Sequence, residues 1–445
     1  MDYDVIIILI IIYLIFMMLC YIFSKKNILI PEFIFTSCFL PQLIYALFYV
    51  EKWNINLSFD TVMVYTLGAF LFFIYSVFFR QVLFNKLYPH KCIKFESKII
   101  NIPSWKLYIT ILFNLIAIAL MCIALIQTTH SSNLLVAIDI YAKVSKGQGM
   151  SLPAIPAKMN LLSYLSGFVW IYYLIHSLVY KNKTSRALIV INLVLSFISN
   201  MLTGSRGGVF QIIISGFFLF GLFFGEKYNW KKNISTKTYI KISIIAIVLI
   251  MTFQVSLEWI GRSSTETNLN DYIAKYLSAE LKNLDIKISE GNMGFKKITE
   301  WSTLNAAFSK ILSLFGISNA RHYADASTYI EYHGIDLGNV YTIYYPFIID
   351  LSYFGLFFFE GIMSFVCQLS FCKATHNKFD THCLDLSKLI YAYILTMLFF
   401  SFFSNWFFNN VFSSGFIWCI ITWLLFRYFL ETSKIKIGFK IHKRI

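Results

Sequence analysis

The stretch "MLTGSRGGVFQIIISGFF", Met201 to Phe218, decides how the chain is read. An apolar run ends at Thr203, breaks at Gly204-Ser205-Arg206-Gly207-Gly208, and resumes at once. Two apolar segments of membrane length therefore meet at one arginine flanked by glycines. Arginine is costly in lipid, and glycine loosens the backbone around it. The pattern is that of two spanning helices joined by a tight polar turn.

The same pattern repeats along the 445 residues. Hydrophobic residues make up 58% of the chain and charged ones 14%, too little charge to cover a soluble fold of this length. Apolar runs long enough to cross a bilayer predict helices at about 4–23, 28–50, 59–79, 106–126, 158–180, 187–203, 208–225, 241–257, 345–371, 388–405 and 411–430. The expected fold is an all-α polytopic membrane protein with about eleven transmembrane helices. The short alternating segments of a transmembrane barrel are absent. The first run is too long for a secretory signal core and lacks a basic leader and a cleavage site, so it reads as a retained helix.

A net charge of +15 raises nucleic acid as a partner, but the basic residues sit in short loops between apolar runs. Lys25-Lys26, the stretch from Arg80 to Lys106, Lys181 to Arg186, Lys227 to Lys241, Lys373 to Lys388 and the tail "KIKIGFKIHKRI" form one basic set. The alternate loops are poor in Lys and Arg. The positive-inside rule then places the N-terminus outside and the C-terminus in the cytoplasm. No nucleic-acid partner is expected; membrane lipids are.

Two outside loops are long, Gln127 to Ala157 and Glu258 to about Tyr344, and long loops commonly carry function. The expected organisation is helices one to eight over 1–257 with the medium loop at 127–157, a large loop at 258–344, and the last three helices with a basic tail over 345–445. Within the large loop, "DYIAKYLSAELKNLDI" and "WSTLNAAFSKILSLF" carry apolar residues at three- and four-residue spacing, which predicts amphipathic helices. These either lie on the membrane surface or cap a cavity, or form a small packed subdomain. The long loops contain no cysteine, so no disulfide framework is implied there. No metal-ligand spacing, Walker loop or nucleophile elbow occurs, and no metal or cofactor is expected.

Ionisable groups on the outer side are few. Arg206 stands at the start of a helix whose free N–H groups suit an anion, and its guanidinium suits phosphate; it could equally snorkel from the turn to the headgroups. Arg262, in "LEWIGRSS", follows the eighth predicted helix and could join it in clamping a pyrophosphate, or anchor beside Trp259. Arg321-His322 is a third basic spot. His333, in "IEYHGIDLG", has the chemistry of a general base, although a lone loop histidine is more often merely solvated. Asp350 follows Pro346 at the entrance of a late helix and could pair with an arginine or belong to a structural pair; Glu360 lies deeper. Tyr341, Tyr344 and Tyr345 form an interfacial belt or stack on sugar rings, with Asn339 beside them as a further sugar contact.

"TGSRGG" between two helices, "DYIAKYLSAELKNLD" in the large loop and "GNVYTIYYPFIIDLSYFGLF" opening a late helix together resemble the Wzy-type oligosaccharide repeat-unit polymerases of O-antigen synthesis. The resemblance implies a GT-C-like membrane glycosyltransferase of the bacterial plasma membrane, working on the periplasmic side. It implies transfer of a glycan from undecaprenyl pyrophosphate to the non-reducing end of another lipid-linked unit, and a Wzz-type chain-length regulator as partner. It implies Arg206, Arg262 and Arg321 as pyrophosphate ligands; the general base does not carry over from it, and His333 and Asp350 are the catalytic candidates on their own chemistry. Two alternatives stand beside it. An O-antigen ligase would use a His-Asn pair, which neither long loop contains. A flippase for the same lipid-linked unit would show related halves and short outer loops.

Overall fold

Hydrocarbon offers no partner to a peptide group, so an apolar run must satisfy its own backbone, and a helix does this within one segment. The computed structural model describes residues 3–24, 26–84, 100–147, 150–180, 184–228, 230, 269–291, 293–308, 328–376 and 384–431. It is 79% helical. The elements in chain order are α1 (Tyr3–Phe23), α2 (Pro31–Phe48), α3 (Phe59–Phe78, followed by a π-helical turn Phe79–Phe84), α4 (Ser104–Thr129), α5 (Leu134–Gly147) and α6 (Ala154–Tyr180). Then come α7 (Arg186–Met201), α8 (Gly207–Lys227), α9 (Leu269–Leu277), α10 (Ala279–Ser289), the strands β1 (Ile330–Tyr332) and β2 (Ile335–Gly338), α11 (Tyr344–His376), α12 (Leu386–Phe399), α13 (Trp406–Val411) and α14 (Ser414–Glu431).

Eight of these helices are long and apolar enough to cross a membrane: α1, α2, α3 with its π turn, α4, α6, α8, α11 and α14. The α7 helix and α12 are apolar but shorter. The expected helix at 241–257 lies outside the described residues. The chain is thus a multi-pass helical membrane protein.

By contacts the chain divides into two interleaved units. The first comprises residues 1–95, 213–378 and 386–418; the second comprises 96–212, 379–385 and 419–445.

In the first unit, α3 lies along α11 and α1 along α2. Ser58 caps α3, its Oγ accepting from Thr61 N at 3.3 Å, and Pro31 starts α2, where a missing N–H costs nothing. The α11 helix is broken near its start. Leu351 and Ser352 leave helical geometry, with Ser352 at φ 51°, and the chain between the loop helices and the hairpin pairs with the break: Phe295 bridges Leu351, and Lys296 N donates to Asp350 O at 2.8 Å.

The large loop corrects three expectations. It contains an antiparallel hairpin, which an all-α reading did not foresee; Tyr332 faces Ile335 across a two-residue turn of His333 (φ 49°) and Gly334 (φ 77°), the positive-φ geometry of a tight hairpin. The stretch "DYIAKYLSAELKNLDI" is two helices rather than one, divided at Ser278. Finally, α10 does not lie on a membrane surface: Ala279 through Asp285 are all buried, on every side of the helix. It packs on α2, α3 and β2. Asp285 Oδ1 accepts from Ser58 N and Thr61 Oγ1, both at 2.8 Å, so the loop helix supplies a negative charge to the N-terminus of α3. Asn283 Nδ2 donates to Leu337 O and Val340 O and holds the hairpin.

In the second unit, α4, α6 and α7 pack on one another along a seam of small polar residues. Asn114 Nδ2 donates to Asn192 Oδ1 at 3.1 Å, Ser163 Oγ to Asn114 Oδ1 at 2.9 Å, and the Ser163 and Ser199 hydroxyls meet at 2.7 Å. Such contacts join helices that have no hydrophobic drive toward each other in lipid. The loop expected at 127–157 contains α5, whose Ala137 and Ile138 pack on Met121, Leu125 and Leu202.

Candidate functional site

The glycine–arginine turn is built in the second unit from the end of α7, the start of α8 and the face of α5. Thr203 Oγ1 donates to Asn200 O at 2.7 Å and Gly204 N to Met201 O at 2.8 Å, closing α7. Gly204 has φ +68°, and a Cβ there would come 2.4 Å from the Ala142 Cβ of α5. Both conditions admit only glycine. Arg206 O accepts from Val209 N at 3.1 Å and Phe210 N at 3.4 Å, so Arg206 is the residue from which α8 starts. The N–H groups of Gly207 and Gly208, ahead of those two, precede the first intrahelical bond and stand at the positive end of the α8 dipole.

Arg206 is only 8% exposed, so its side chain is enclosed by the fold rather than spread over headgroups. Polar groups surround the helix start. A Cβ on Gly208 would lie 2.5 Å from Asn200 Nδ2 and 2.7 Å from the Tyr164 hydroxyl, which is why glycine stands there. Tyr164 OH donates to Gln211 Oε1 at 2.9 Å. The Asn200 Oδ1 and Asn160 Oδ1 atoms are buried and make no hydrogen bond. Those two oxygens are acceptors and do not favour an anion; what suits an anionic oxygen at this buried, polar helix start is the Arg206 guanidinium with the N–H groups of Gly207 and Gly208.

The other expected site residues are scattered. Arg262, Arg321 and His322 lie outside the described residues. His333 is exposed at the hairpin tip, its ring edge-on to Tyr332 at 4.2 Å. Asp350 is fully buried, and its oxygens accept from Ser302 N (2.9 Å), Thr303 N (2.8 Å) and Thr303 Oγ1 (2.7 Å). Its partners are backbone and hydroxyl donors, not a guanidinium. Asn339 is half-buried. Tyr341 and Tyr345 are buried and stacked on each other at 4.5 Å, and Tyr341 OH donates to Thr328 O at 2.8 Å; burial pushes the Tyr341 phenol up. Their faces are turned to one another rather than to a sugar. The chain's one His-Asn pair, His376-Asn377, falls at the end of α11, away from both long loops, and Asn377 lies outside the described residues.

The structure also assembles polar groups in the first unit, among them Glu32, Gln42, Tyr65 and Glu280, which the sequence did not single out. Glu32 of α2, fully buried, pairs with Arg80 and accepts from Gln368 Nε2 at 2.7 Å. Arg80 thus belongs to the bundle interior and not to a basic loop. Tyr13 and Tyr344 share a hydrogen bond at 3.2 Å, and Tyr65 OH donates to Gln42 Oε1 at 2.9 Å. Glu280 and Glu360 are fully buried, and none of their carboxyl oxygens makes a hydrogen bond. A signal existed for each. Glu32 interrupts an apolar run, and Glu280 lies four residues before Leu284 and eight before Ile288, on the same stripe of α10.

The class these features define is a helical, multi-pass membrane protein with buried ionisable groups. No family model matches the chain, and neither a curated protein nor a solved structure matches it.

Proposed function

We propose that the chain is a membrane glycosyltransferase that polymerises lipid-linked oligosaccharide repeat units, moving a growing glycan from undecaprenyl pyrophosphate to the next lipid-linked unit. The observation that carries this reading is Arg206, buried at the start of α8 in a turn whose close packing leaves no room for a Cβ at Gly204 or Gly208. A pyrophosphate leaving group needs fixed positive charge and N–H donors at membrane level, and this turn offers both. Departure of the pyrophosphate lipid supplies the driving force, so no nucleotide is required. On this reading the protein resides in the bacterial plasma membrane with its N-terminus outside, Arg262 and Arg321 complete the phosphate clamp, and a chain-length regulator is its partner.

The test is a chromosomal deletion followed by separation of the surface glycan on a gel. Loss of the polymerase leaves lipid core carrying a single repeat unit; a deletion strain with the full ladder sinks the proposal. Arg206→Ala should collapse chain length in protein that still inserts, and Arg206→Lys should restore little, because an ammonium cannot form the bidentate contact. A transporter of the lipid-linked unit is the second reading, favoured by the unpartnered carboxyls of Glu280 and Glu360. Its loss would leave bare core.

A further inference from the structure

The segment that closes the break in α11 also presents an apolar, basic surface. Phe295 and Ile298 are 75% and 58% exposed. Between them stand Lys296, half-buried, and Lys297, exposed and without an ion pair among the described residues. Two large apolar side chains are costly to leave in water, and exposed apolar patches mark interaction sites. The backbone beneath them is fixed. Phe295 bridges Leu351, and Lys296 N donates to Asp350 O at 2.8 Å. The Asp350 carboxylate holds Ser302 N and Thr303 N, and Trp301 Nε1 donates to Lys296 O at 3.2 Å. The segment is therefore fastened to α11 at both of its ends, with Phe295 and Ile298 left outward.

This surface continues one that faces lipid. Beyond the break, Phe354, Phe357 and Phe358 are exposed on a helix long and apolar enough to span a bilayer. The rings of Phe354 and Phe358 stack at 6.4 Å, and the Trp301 ring meets Phe358 edge-on at 5.9 Å. The aromatic row of the span thus passes through Trp301 onto the segment. Its height follows from the helix rise. From Ser352, at the break, to the exposed Lys373 near the other end, α11 climbs about 31 Å, close to the roughly 30 Å of a hydrocarbon core. With Lys373 at one headgroup level, the break and its segment stand at the other. Apolar side chains there enter the acyl boundary while lysines stay among the headgroups.

We propose that Phe295–Trp301 is a docking surface for an anionic phospholipid. The acyl chain lies along Phe295, Ile298, Phe354 and Phe358, and Lys297, with Lys296 beside it, holds the headgroup phosphate. Charge chooses this occupant. The segment carries two lysines and one carboxylate, Glu300, and Glu300 pairs with neither lysine. A phosphate without a compensating ammonium suits that balance better than a zwitterionic headgroup does. Continuity with the lipid-facing row supplies the rest, because a chain lying on Phe354 and Phe358 meets Ile298 and Phe295 next. The surface belongs to the first unit and stands or falls independently of the phosphate site at Arg206.

The experiment titrates purified full-length protein in detergent with phosphatidylglycerol or phosphatidylcholine and counts retained lipid by native mass spectrometry. Wild-type protein should hold phosphatidylglycerol more tightly than phosphatidylcholine. Lys297→Gln should weaken phosphatidylglycerol about fivefold, as one lysine at an anionic surface is worth, and leave phosphatidylcholine unchanged. Lys297 is exposed, so the variant should melt like wild type without lipid, and phosphatidylglycerol should raise its melting temperature by less. A nitroxide on Ile298→Cys in nanodiscs, read against the label taken up by the native cysteines, should be relaxed by oxygen and shielded from a water-soluble nickel chelate. Equal retention of the two lipids by wild type overturns the proposal, as does phosphatidylglycerol binding that Lys297→Gln leaves intact. A nitroxide open to the nickel chelate also overturns it, since the face would then stand in water and suit a protein partner.

Discussion

Asp350 illustrates how far one side chain's role depends on its neighbours. In the sequence it is a carboxylate at a helix entrance. In the fold its two oxygens satisfy three donors of Ser302 and Thr303, and its backbone carbonyl receives Lys296 N. Asp350→Ala would strand those donors in a buried site, at a cost of about 1–3 kcal/mol for each left unmet. The expected outcome is a clear fall in the melting temperature of purified protein, with Asp350→Asn intermediate because its amide oxygen can still accept. An Asp350→Ala protein that melts like wild type would show that these bonds do not stabilise the fold. Glu280 makes the opposite contribution. Its folded carboxyl binds a proton more tightly than the unfolded one, so its stabilising effect is full below the unfolded value of about 4.3. That effect declines as pH rises toward the folded value, because the unfolded chain ionises first. Wild-type stability should therefore fall between mildly acidic and mildly alkaline pH more steeply than that of Glu280→Gln, and the variant should be the more stable at the alkaline end. Parallel melting curves across that range would contradict the buried, neutral carboxyl.

Among the elements, α11 is the one with a break inside its span. Its break at Leu351 and Ser352 frees carbonyls that the loop at Phe295 and Lys296 then engages, a recognised cause of a kink. After the break the backbone folds close on itself: a Cβ on Gly355 would lie 2.0 Å from Phe347 O. The obstacle is main chain and cannot rotate away. Gly355→Ala should destabilise the protein by about 1–3 kcal/mol, as overpacking does, and thermal unfolding in detergent will show it. No loss of stability would mean that the break is not needed. The loop helices depend on partners from elsewhere in the first unit. Asp271 on α9 accepts from Lys52 Nζ at 2.6 Å and Tyr49 OH at 3.0 Å, and Asp285 on α10 caps α3. These contacts, and not an intrinsic amphipathic stripe, explain why α10 is buried all round.

At the scale of the molecule, the two units draw on separated parts of the chain. Folding the first unit requires the N-terminal helices to meet the loop, α11 and the turn after α12, more than two hundred residues away, as in the bonds from Tyr13 to Tyr344 and from Gln42 to Phe402. Orientation is a property of the whole chain, set by its basic loops. Cysteines introduced after Glu431 should react with a thiol reagent only once the membrane is permeabilised, whereas one at Ser151 should react in intact spheroplasts. The reverse pattern would overturn the orientation expected from the basic loops.

Composition and hydropathy alone determined the helical, multi-pass architecture, because a long run without charge has no other way to satisfy its backbone in lipid. They placed most helices to within a few residues, and they singled out Arg206 and its glycines, since a charge between apolar runs is visible without coordinates. Only the tertiary structure decided which groups meet. The hairpin around His333 rests on positive φ angles at two residues, a signal too short to compete with the surrounding helical periodicity. The burial of α10 depends on Asp285 reaching the start of α3, across more than two hundred residues. The Glu32–Arg80 pair and the unpartnered Glu280 and Glu360 arise from packing between distant helices, and periodicity within one segment carries no information about what stands opposite it.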